Sequence, residues 1–177
     1  RRSYPITTDF FAKFFDLDRC FVAMRIPTDN GKELVLINSH LSAYDEGGTI
    51  RKQQFEMLRD YISKEYESGN YVIVGGDFNH ALGGTVGLFA SEQEVPEWVS
   101  VMSDEDIPEN FTLVKAQNIS EVPTCRSTDI AYQKGVNYTA VLDGFIISDN
   151  IEAEATNIDN DFMFSDHNPV VMKFRMK

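Results

Sequence analysis

The sequence is poor in cysteine, tryptophan and basic residues, and it has no long apolar run. Its two cysteines, Cys20 and Cys125, lie far apart and form no Cys-x-x-Cys pair, which argues against a thiolate zinc site. They can form one disulfide or remain two thiols, and the sequence leaves both open. No stretch reaches the length of a membrane span, and none resembles a signal peptide. The chain begins at Arg1 rather than Met, so we expect residues before it, and its localisation stays open.

The scarcity of basic residues gives the chain an acidic balance. It has 16 Lys plus Arg against 28 Asp plus Glu, which is a formal net charge of −12. A protein that holds a long polyanion usually presents a basic face, because phosphate neutralisation and counterion release supply much of the affinity. The segment 91–110 contains many acids and no Lys or Arg, and we interpret it as a solvated surface loop. The charge therefore argues mildly against duplex nucleic acid as a partner.

The chain does contain enough apolar material for one packed domain. Hydrophobic residues make up 42% of its 177 residues and aromatic residues 12%, so we expect a single domain over 1–177 rather than disorder. Apolar runs at 19–27 and 33–41 predict two strands joined by a tight hairpin turn, since Asn-Gly lies between them. An apolar stripe at steps of three and four residues predicts a helix over 49–68.

The second half of the chain has β-type patterns around a long irregular segment. The run at 71–75 is apolar on both faces, which is typical of a strand in the middle of a sheet beside a parallel or mixed neighbour. The segment 81–110 is Gly-rich and then acidic, and we predict a long loop there with one short helix near Trp98. Strand patterns return at 138–148, 152–158 and 169–174. The expected class is α/β with a β-rich end.

Polar residues recur where these predicted strands begin or end. They are His40, Asp77, Asn79, Asp143, Asp166 and His167. The carboxyl ends of strands in an open α/β sheet form the crevice in which ligands bind, so such residues can converge on one site. Each residue alone has a structural explanation, because Asp and Asn are common turn formers and an Asp-His pair can cap a strand. Asp143 is less ordinary, since a carboxylate inside an apolar run needs a partner. We interpret His80 as a loop residue.

Four short motifs follow one another along the chain. They are Asn38-Ser39-His40-Leu41, Gly76-Asp77-Phe78-Asn79, Leu142-Asp143-Gly144-Phe145 and Ser165-Asp166-His167-Asn168-Pro169-Val170. Together they closely resemble the ordered motifs of the endonuclease/exonuclease/phosphatase superfamily, of which deoxyribonuclease I is a member, over roughly residue 19 to the C-terminus. The resemblance implies a four-layer α/β sandwich, with two mixed β-sheets face to face and helices outside. It also implies hydrolysis of a phosphate ester by in-line attack of water, assisted by Mg²⁺ or Mn²⁺.

The resemblance also implies a role for each matched residue. Asp77 would orient or deprotonate the water, and Asn79 would hold the water or the transition-state oxygens. Asp143 would bond the ring of His167, which would donate to the phosphoryl oxygen. Asp166 would ligate the metal together with Asp77 and Asn79, and His40 would contact the phosphate. These roles agree with general chemistry, because phosphoryl transfer needs positioning and charge stabilisation, and Mg²⁺ prefers oxygen ligands.

The chain departs from the family pattern at its start. In the family, an Asn and a Glu near the start of the domain complete the metal site, and we find no counterpart here. We therefore expect the N-terminal portion of the domain, with its principal Glu ligand, to be absent. On that expectation this partial domain binds Mg²⁺ weakly, hydrolyses little and self-associates through uncovered sheet edges.

The sequence leaves three hypotheses about the function open. The leading hypothesis is a Mg-dependent phosphodiesterase or phosphomonoesterase acting on a small or lipid-linked phosphate, which the acidic balance favours over nucleic acid. The second is a Mg-dependent nuclease, favoured by family precedent, and the third is a non-catalytic binding module. The stretch 123–126 is similar to one in bacterial members of the family, and its Arg126 is either a substrate-phosphate ligand or an exposed structural residue.

Overall fold

The computed structural model describes residues 2–6, 19–43 and 48–177, and within them one helix and twelve strands in the following order. The elements are β1 (Arg2–Ile6), β2 (Arg19–Pro27), β3 (Glu33–His40), α1 (Thr49–Glu67), β4 (Tyr71–Asp77), β5 (Ala81–Leu82), β6 (Val101–Met102), β7 (Phe111–Val114), β8 (Cys125–Arg126), β9 (Thr139–Ala140), β10 (Asp143–Ser148), β11 (Ile151–Asn157) and β12 (Val170–Met176). A 3-10 turn covers Asp104–Asp106. The chain is therefore α/β with a β-rich end, as the sequence predicts.

The main sheet has six strands in the order β1-β2-β3-β4-β10-β7. β2 and β3 form the predicted hairpin, and Gly31 adopts a positive φ of 80° in the turn between them. β3 and β4 are parallel and joined through α1, whereas every other neighbouring pair in this sheet is antiparallel. β4 lies between β3 and β10, which confirms its predicted place inside the sheet.

The sheet is covered on its two faces by different layers. On one face, Phe55, Leu58 and Ile62 of α1 pack with Val72 and Val74 of β4 in a buried cluster. On the other face, Tyr71 and Ile73 of the same strand pack against a second cluster that includes Ile151 and Ala155 of β11. Successive side chains of a strand point to opposite faces, so β4 supplies both cores. Helix, mixed sheet and the β11-β12 sheet are consecutive layers of the predicted sandwich.

Two sequence predictions about local structure are wrong. No helix forms near Trp98, because the backbone makes one isolated turn there, in which the Val99 N–H donates to the Pro96 carbonyl at 3.0 Å, and the 3-10 turn begins later at a Ser103 capping box. The predicted strand 138–148 is divided into β9 and β10, because the backbone N–H of Leu142 donates to Thr124 Oγ1 at 3.0 Å rather than to a neighbouring strand.

The described residues also bear on the membrane and disulfide questions. No helix among them is both long enough and apolar enough to cross a bilayer. Cys20 and Cys125 are both free thiols, so the choice that the sequence leaves open is decided in favour of two unpaired cysteines.

Candidate active site

Strand register places three of the sequence-predicted residues at one end of the main sheet. His40, the last residue of β3, is the register partner of Asp77, the last residue of β4. Asp77 is in turn the partner of Asp143, the first residue of the antiparallel strand β10. The carboxyl ends of β3 and β4 and the amino end of β10 therefore lie side by side, and this edge carries two carboxylates and an imidazole.

His167 reaches the same edge from the loop between β11 and β12. Its Nδ1 lies 2.8 Å from Asp143 Oδ2, and its Nε2 lies 3.8 Å from Asp77 Oδ2. His40 Nε2 lies 3.4 Å from the same oxygen of Asp77. The loop is anchored beside the site by a backbone bridge between His167 and Cys125. The structure thus brings both histidines and both carboxylates into one connected cluster.

The turn after β4 is shaped by a glycine and by Asn79. A side chain at Gly76 would collide with the carbonyl oxygen of Ser39, so only glycine allows β3 and β4 to approach this closely. Asn79 has a positive φ of 49°, and its backbone N–H donates to Asp77 Oδ1 at 2.8 Å. Its side-chain amide donates to the carbonyl of Leu41 at 2.8 Å. Asn79 therefore holds the Asp77 carboxylate in place and ties this turn to the end of β3.

The surroundings of Asp77 make its ionised form less favourable than that of an exposed aspartate. Burial raises the pKa of the Asp77 carboxyl, and the nearby negative charge of Asp143 raises it further, to about 6. The bond from the Asn79 backbone and the positive charges of His167 and Arg19 partly oppose this rise. Asp77 is consequently a carboxylate at neutral pH but a better proton acceptor than an exposed aspartate.

The surroundings of His167 favour its cationic form. Burial by itself lowers the pKa of the imidazole, but the hydrogen bond and the charge of Asp143, together with Cys125, raise it to about 11. A carboxylate accepting from Nδ1–H also fixes the ring orientation and leaves Nε2–H as the donor on the other side. At neutral pH the cluster contains an imidazolium held between Asp143 and Asp77.

The cluster opens into a cavity of about 390 Å³. Of the sequence-predicted residues, the cavity is lined by His40, Asp77, Asn79, Arg126, Asp166 and His167. Asp143 lies behind them and contacts the cavity through His167. The backbone of Asp166 accepts a hydrogen bond from the Arg126 N–H at 3.0 Å, so these two residues stand next to each other on the wall. His80 is not a lining residue; its Nδ1 contacts the carbonyl of Phe78 at 2.7 Å.

Several residues that line the cavity were not predicted from the sequence. Arg19 lines the cavity. Phe21 lies opposite Ser39 in the hairpin, so the same register places Arg19 opposite Leu41, and the predicted hairpin therefore indicates its position. Trp98 lines the cavity, although it belongs to the acidic segment that we interpret from sequence as a solvated loop. Asp129 also lines the cavity, and no sequence signal distinguishes it from an ordinary loop aspartate.

The side chains at this edge include a set that can hold a metal ion. Asp77, Asp143 and His167 offer ligand atoms that all lie within 4.8 Å of one another. Because His167 is held as a cation by Asp143, the imidazole is a poor ligand, and oxygen donors remain for the metal. Mg²⁺ needs only one or two carboxylates with waters and phosphate oxygens, and Asp77 and Asp166 are carboxylates on the cavity wall.

Comparison with known proteins supports the fold. No protein-family model matches the sequence, and no curated protein matches it either. Among solved structures, TDP2 of D. rerio complexed with single strand DNA product has a TM-score of 0.66 at 15% identity. An endonuclease/exonuclease/phosphatase from Beutenbergia cavernae has a TM-score of 0.67 at 14% identity. A mannosyl-6-phosphatase from Bacteroides thetaiotaomicron has a TM-score of 0.60 at 12% identity.

The similarity covers the whole of this chain but only part of those proteins. Each match covers 99% of this chain, against 68% of the D. rerio chain, 44% of the B. cavernae chain and 65% of the B. thetaiotaomicron chain. The chain thus spans between under half and about two thirds of the length of these solved structures. Together, the layers of the sheet and these matches show that the chain has the fold of the endonuclease/exonuclease/phosphatase proteins.

Proposed function

We propose that this chain carries the phosphate-ester chemistry of a metal-dependent hydrolase, in which water attacks the phosphorus in line with the leaving group. The observation that supports this most directly is the cluster of Asp143, His167, Asp77 and His40 at the strand ends, opening into the cavity. It supplies a proton acceptor, a fixed cation and a second imidazole beside one enclosed space. Phosphoryl transfer requires mainly such positioning and charge stabilisation.

Asp77 is the proposed group that orients the attacking water and accepts its proton. Without a bound metal its pKa of about 6 leaves it ionised at pH 7 and more basic than an exposed aspartate, so it can accept a proton as the bond to phosphorus forms. Asn79 fixes this carboxylate through its backbone N–H. We further propose that Asn79, which lines the cavity, contacts the water or the phosphoryl oxygens.

His167 is the proposed donor to the phosphoryl oxygen on which negative charge develops. Asp143 occupies Nδ1, so the ring is held with Nε2 directed toward Asp77 and the neighbouring cavity. His40 and Arg126 are proposed as further donors to the phosphate, Arg126 through the guanidinium N–H groups that are not engaged with the Ser127 carbonyl. The charge on His167 and Arg126 is opposite to that of the substrate, although the chain as a whole is acidic.

Asp77, Asp166 and Asn79 are the proposed metal ligands, with Mg²⁺ as the preferred ion and Mn²⁺ as a substitute. A bound divalent cation would polarise a phosphoryl oxygen and lower the pKa of a coordinated water. The protein's own contribution is to supply oxygen donors to the lining of the cavity, which also includes the imidazolium of His167.

The proposed substrate is a small or lipid-linked phosphate ester. The net charge of −12 is unfavourable for a long polyanion, and a mannosyl-6-phosphatase is among the proteins that share the fold. The alternative is a nuclease, and a TDP2 structure with a single strand DNA product is the observation that favours it. Since the chain covers only part of these relatives, both proposals concern the whole protein.

Hydrolysis of p-nitrophenyl phosphate, bis-p-nitrophenyl phosphate and a single-stranded oligonucleotide in Mg²⁺ tests this proposal. In the whole protein, Asp77→Asn and His167→Gln should each lower kcat by about 10²–10⁴-fold, the usual contribution of general acid–base groups. His80→Gln is the matched control, since His80 is not a cavity residue, and should leave kcat unchanged. Activity that survives both site variants would contradict the proposal, and cleavage of the oligonucleotide alone would favour the nuclease.

A further inference from the structure

The cavity is larger than a phosphate group requires. Its volume of about 390 Å³ lies in the range of pockets that enclose small organic ligands, roughly 300–1,000 Å³. Two loops supply walls that the proposed chemistry does not use. One contributes Pro96 and Trp98, and the other contributes Ser127, Thr128 and Asp129. These walls are therefore available to bind the part of the substrate beyond its phosphate.

Both loops are fastened to the core rather than loosely placed. The side-chain oxygen of Gln93 accepts hydrogen bonds from Ser127 Oγ at 2.5 Å and from the Tyr138 N–H at 2.6 Å, so it ties the two loops together. The guanidinium of Arg51, which is fully buried, donates to the carbonyl of Trp98 at 2.8 Å and also to that of Asn79. One buried side chain thus fixes the Trp98 wall relative to the turn that carries Asp77. Such pre-organisation lowers the entropic cost of binding.

The two walls offer complementary kinds of contact. Trp98 is half-buried against a small apolar cluster and also lines the cavity. Asp129 is an exposed carboxylate that accepts hydrogen bonds, and Ser127 and Thr128 add hydroxyl groups that donate and accept. A saturated ring with hydroxyl groups matches this pair of walls. Its C–H face can pack on the indole, while its hydroxyl groups donate to the carboxylate.

The acidic residues around the Trp98 wall favour a substrate that carries a single phosphate. Glu94 precedes Pro96, Glu97 lies between Pro96 and Trp98, and both are exposed; the segment 91–110 contains no Lys or Arg. A polymer that carries a phosphate on every unit would bring its neighbouring phosphates toward these carboxylates, which is unfavourable. A single phosphate beside His40 and His167, attached to an uncharged ring, avoids that repulsion.

We propose that the Trp98 and Asp129 walls form a subsite for the alcohol part of a compact monophosphate, an uncharged hydroxyl-bearing ring of the sugar type. This inference rests on the proposed function, because it takes the cluster of Asp77 and His167 as the phosphate end of the same cavity. It assigns Trp98 as the stacking surface and Asp129 as the acceptor for ring hydroxyl groups.

Trp98 is the only tryptophan in this chain, and a fluorescence change of the whole protein that is lost in Trp98→Phe reports on the subsite. The probe is the phosphonate isostere of glucose 6-phosphate, in which a methylene group replaces the bridging oxygen so that hydrolysis cannot remove it. It is titrated into the whole protein in Mg²⁺, beside inorganic phosphate, phosphocholine and a short single-stranded oligonucleotide. Binding of each is followed in parallel by calorimetry and by the NMR signals of the histidines.

The expected result is a saturable fluorescence change with the sugar phosphonate and tighter binding of it than of inorganic phosphate. Asp129→Asn and Trp98→Ala should each weaken sugar phosphonate binding by about 10-fold and leave inorganic phosphate binding unchanged. Asp60→Asn, on an exposed position of α1, is the matched control and should change neither.

The possible failures of the two proposals differ. If inorganic phosphate shifts the His40 and His167 signals but the sugar phosphonate binds no better and leaves Trp98 unchanged, the subsite is refuted and the phosphate site stands. If no phosphate compound shifts either histidine, the proposed function itself fails. Tighter binding of phosphocholine would overturn the uncharged ring in favour of a cationic alcohol, and preference for the oligonucleotide would overturn the compact monophosphate.

Discussion

Replacing Asp143 with Asn tests the electrostatic core of the site without any need for activity. Asp143 Oδ2 accepts from His167 Nδ1 at 2.8 Å, and this contact opposes the burial that would otherwise lower the imidazole pKa. Asn has nearly the same shape and no charge, so it removes the ion pair while leaving the packing close to native. The pKa of His167 should therefore fall from its value of about 11.

The size of this fall follows from the geometry. A hydrogen bond between charged groups contributes about 1.5–3 kcal/mol, and one pKa unit corresponds to about 1.4 kcal/mol. Losing this contact should therefore lower the His167 pKa by at least about 1–2 units, and removal of the longer-range attraction adds to that. At pH 9 the native ring stays cationic, whereas the variant ring loses a substantial part of its proton.

The assay is an NMR titration of the imidazole nitrogens in metal-free buffer. The chain has three histidines, so their signals can be assigned with single His→Gln variants. His80, which contacts the Phe78 carbonyl and does not line the cavity, is an internal control. The exposed Asp60→Asn variant controls for the loss of one negative charge. A native His167 that titrates near 6.5, or one whose pKa does not change in Asp143→Asn, would refute the reasoning.

Three further predictions concern stability and association. Folding raises the pKa of Asp77 from 3.8 to about 6, so the ionised carboxylate opposes folding above pH 6, and this penalty disappears as the pH falls toward 4. Asp77→Asn should therefore stabilise the metal-free protein by up to about 3 kcal/mol at pH 7 and by little at pH 4, as measured by urea unfolding. Arg51→Met leaves the carbonyls of Asn79 and Trp98 without this donor and should lower the free energy of unfolding by about 2–4 kcal/mol, whereas Arg51→Lys should lower it less. Equal stability of Arg51→Met and the native chain would contradict the bridging role of Arg51. In the described part of the chain, β12 pairs with β11 alone, and its residue Phe174 is 43% exposed. Self-association, measured by sedimentation, should therefore weaken in Phe174→Lys. An unchanged association constant would exclude this strand as the contact.

Local patterns were sufficient for most of the elements. The apolar stripe of α1, the doubly apolar run of β4 and the Asn-Gly turn each follow from neighbouring residues, and the structure confirms all three. The segment around Trp98 does not, because its conformation depends on hydrogen bonds that the Gln93 side chain accepts and the Arg51 guanidinium donates, and both residues are distant in sequence from the groups that they contact. The division of β9 from β10 likewise depends on the Thr124 hydroxyl, eighteen residues from Leu142.

The sequence alone determined which residue types stand at the ends of the strands, because alternation and turn chemistry are local properties. It placed His40, Asp77 and Asp143 next to predicted strands, and it marked Asp166 and His167 before another. Only the tertiary structure decided that these residues meet, since parallel and antiparallel register aligns three strand ends and the β11-β12 loop adds His167. Burial and the mutual charges of this cluster, which set the pKa values of Asp77 and His167, exist only once those distant segments are packed together.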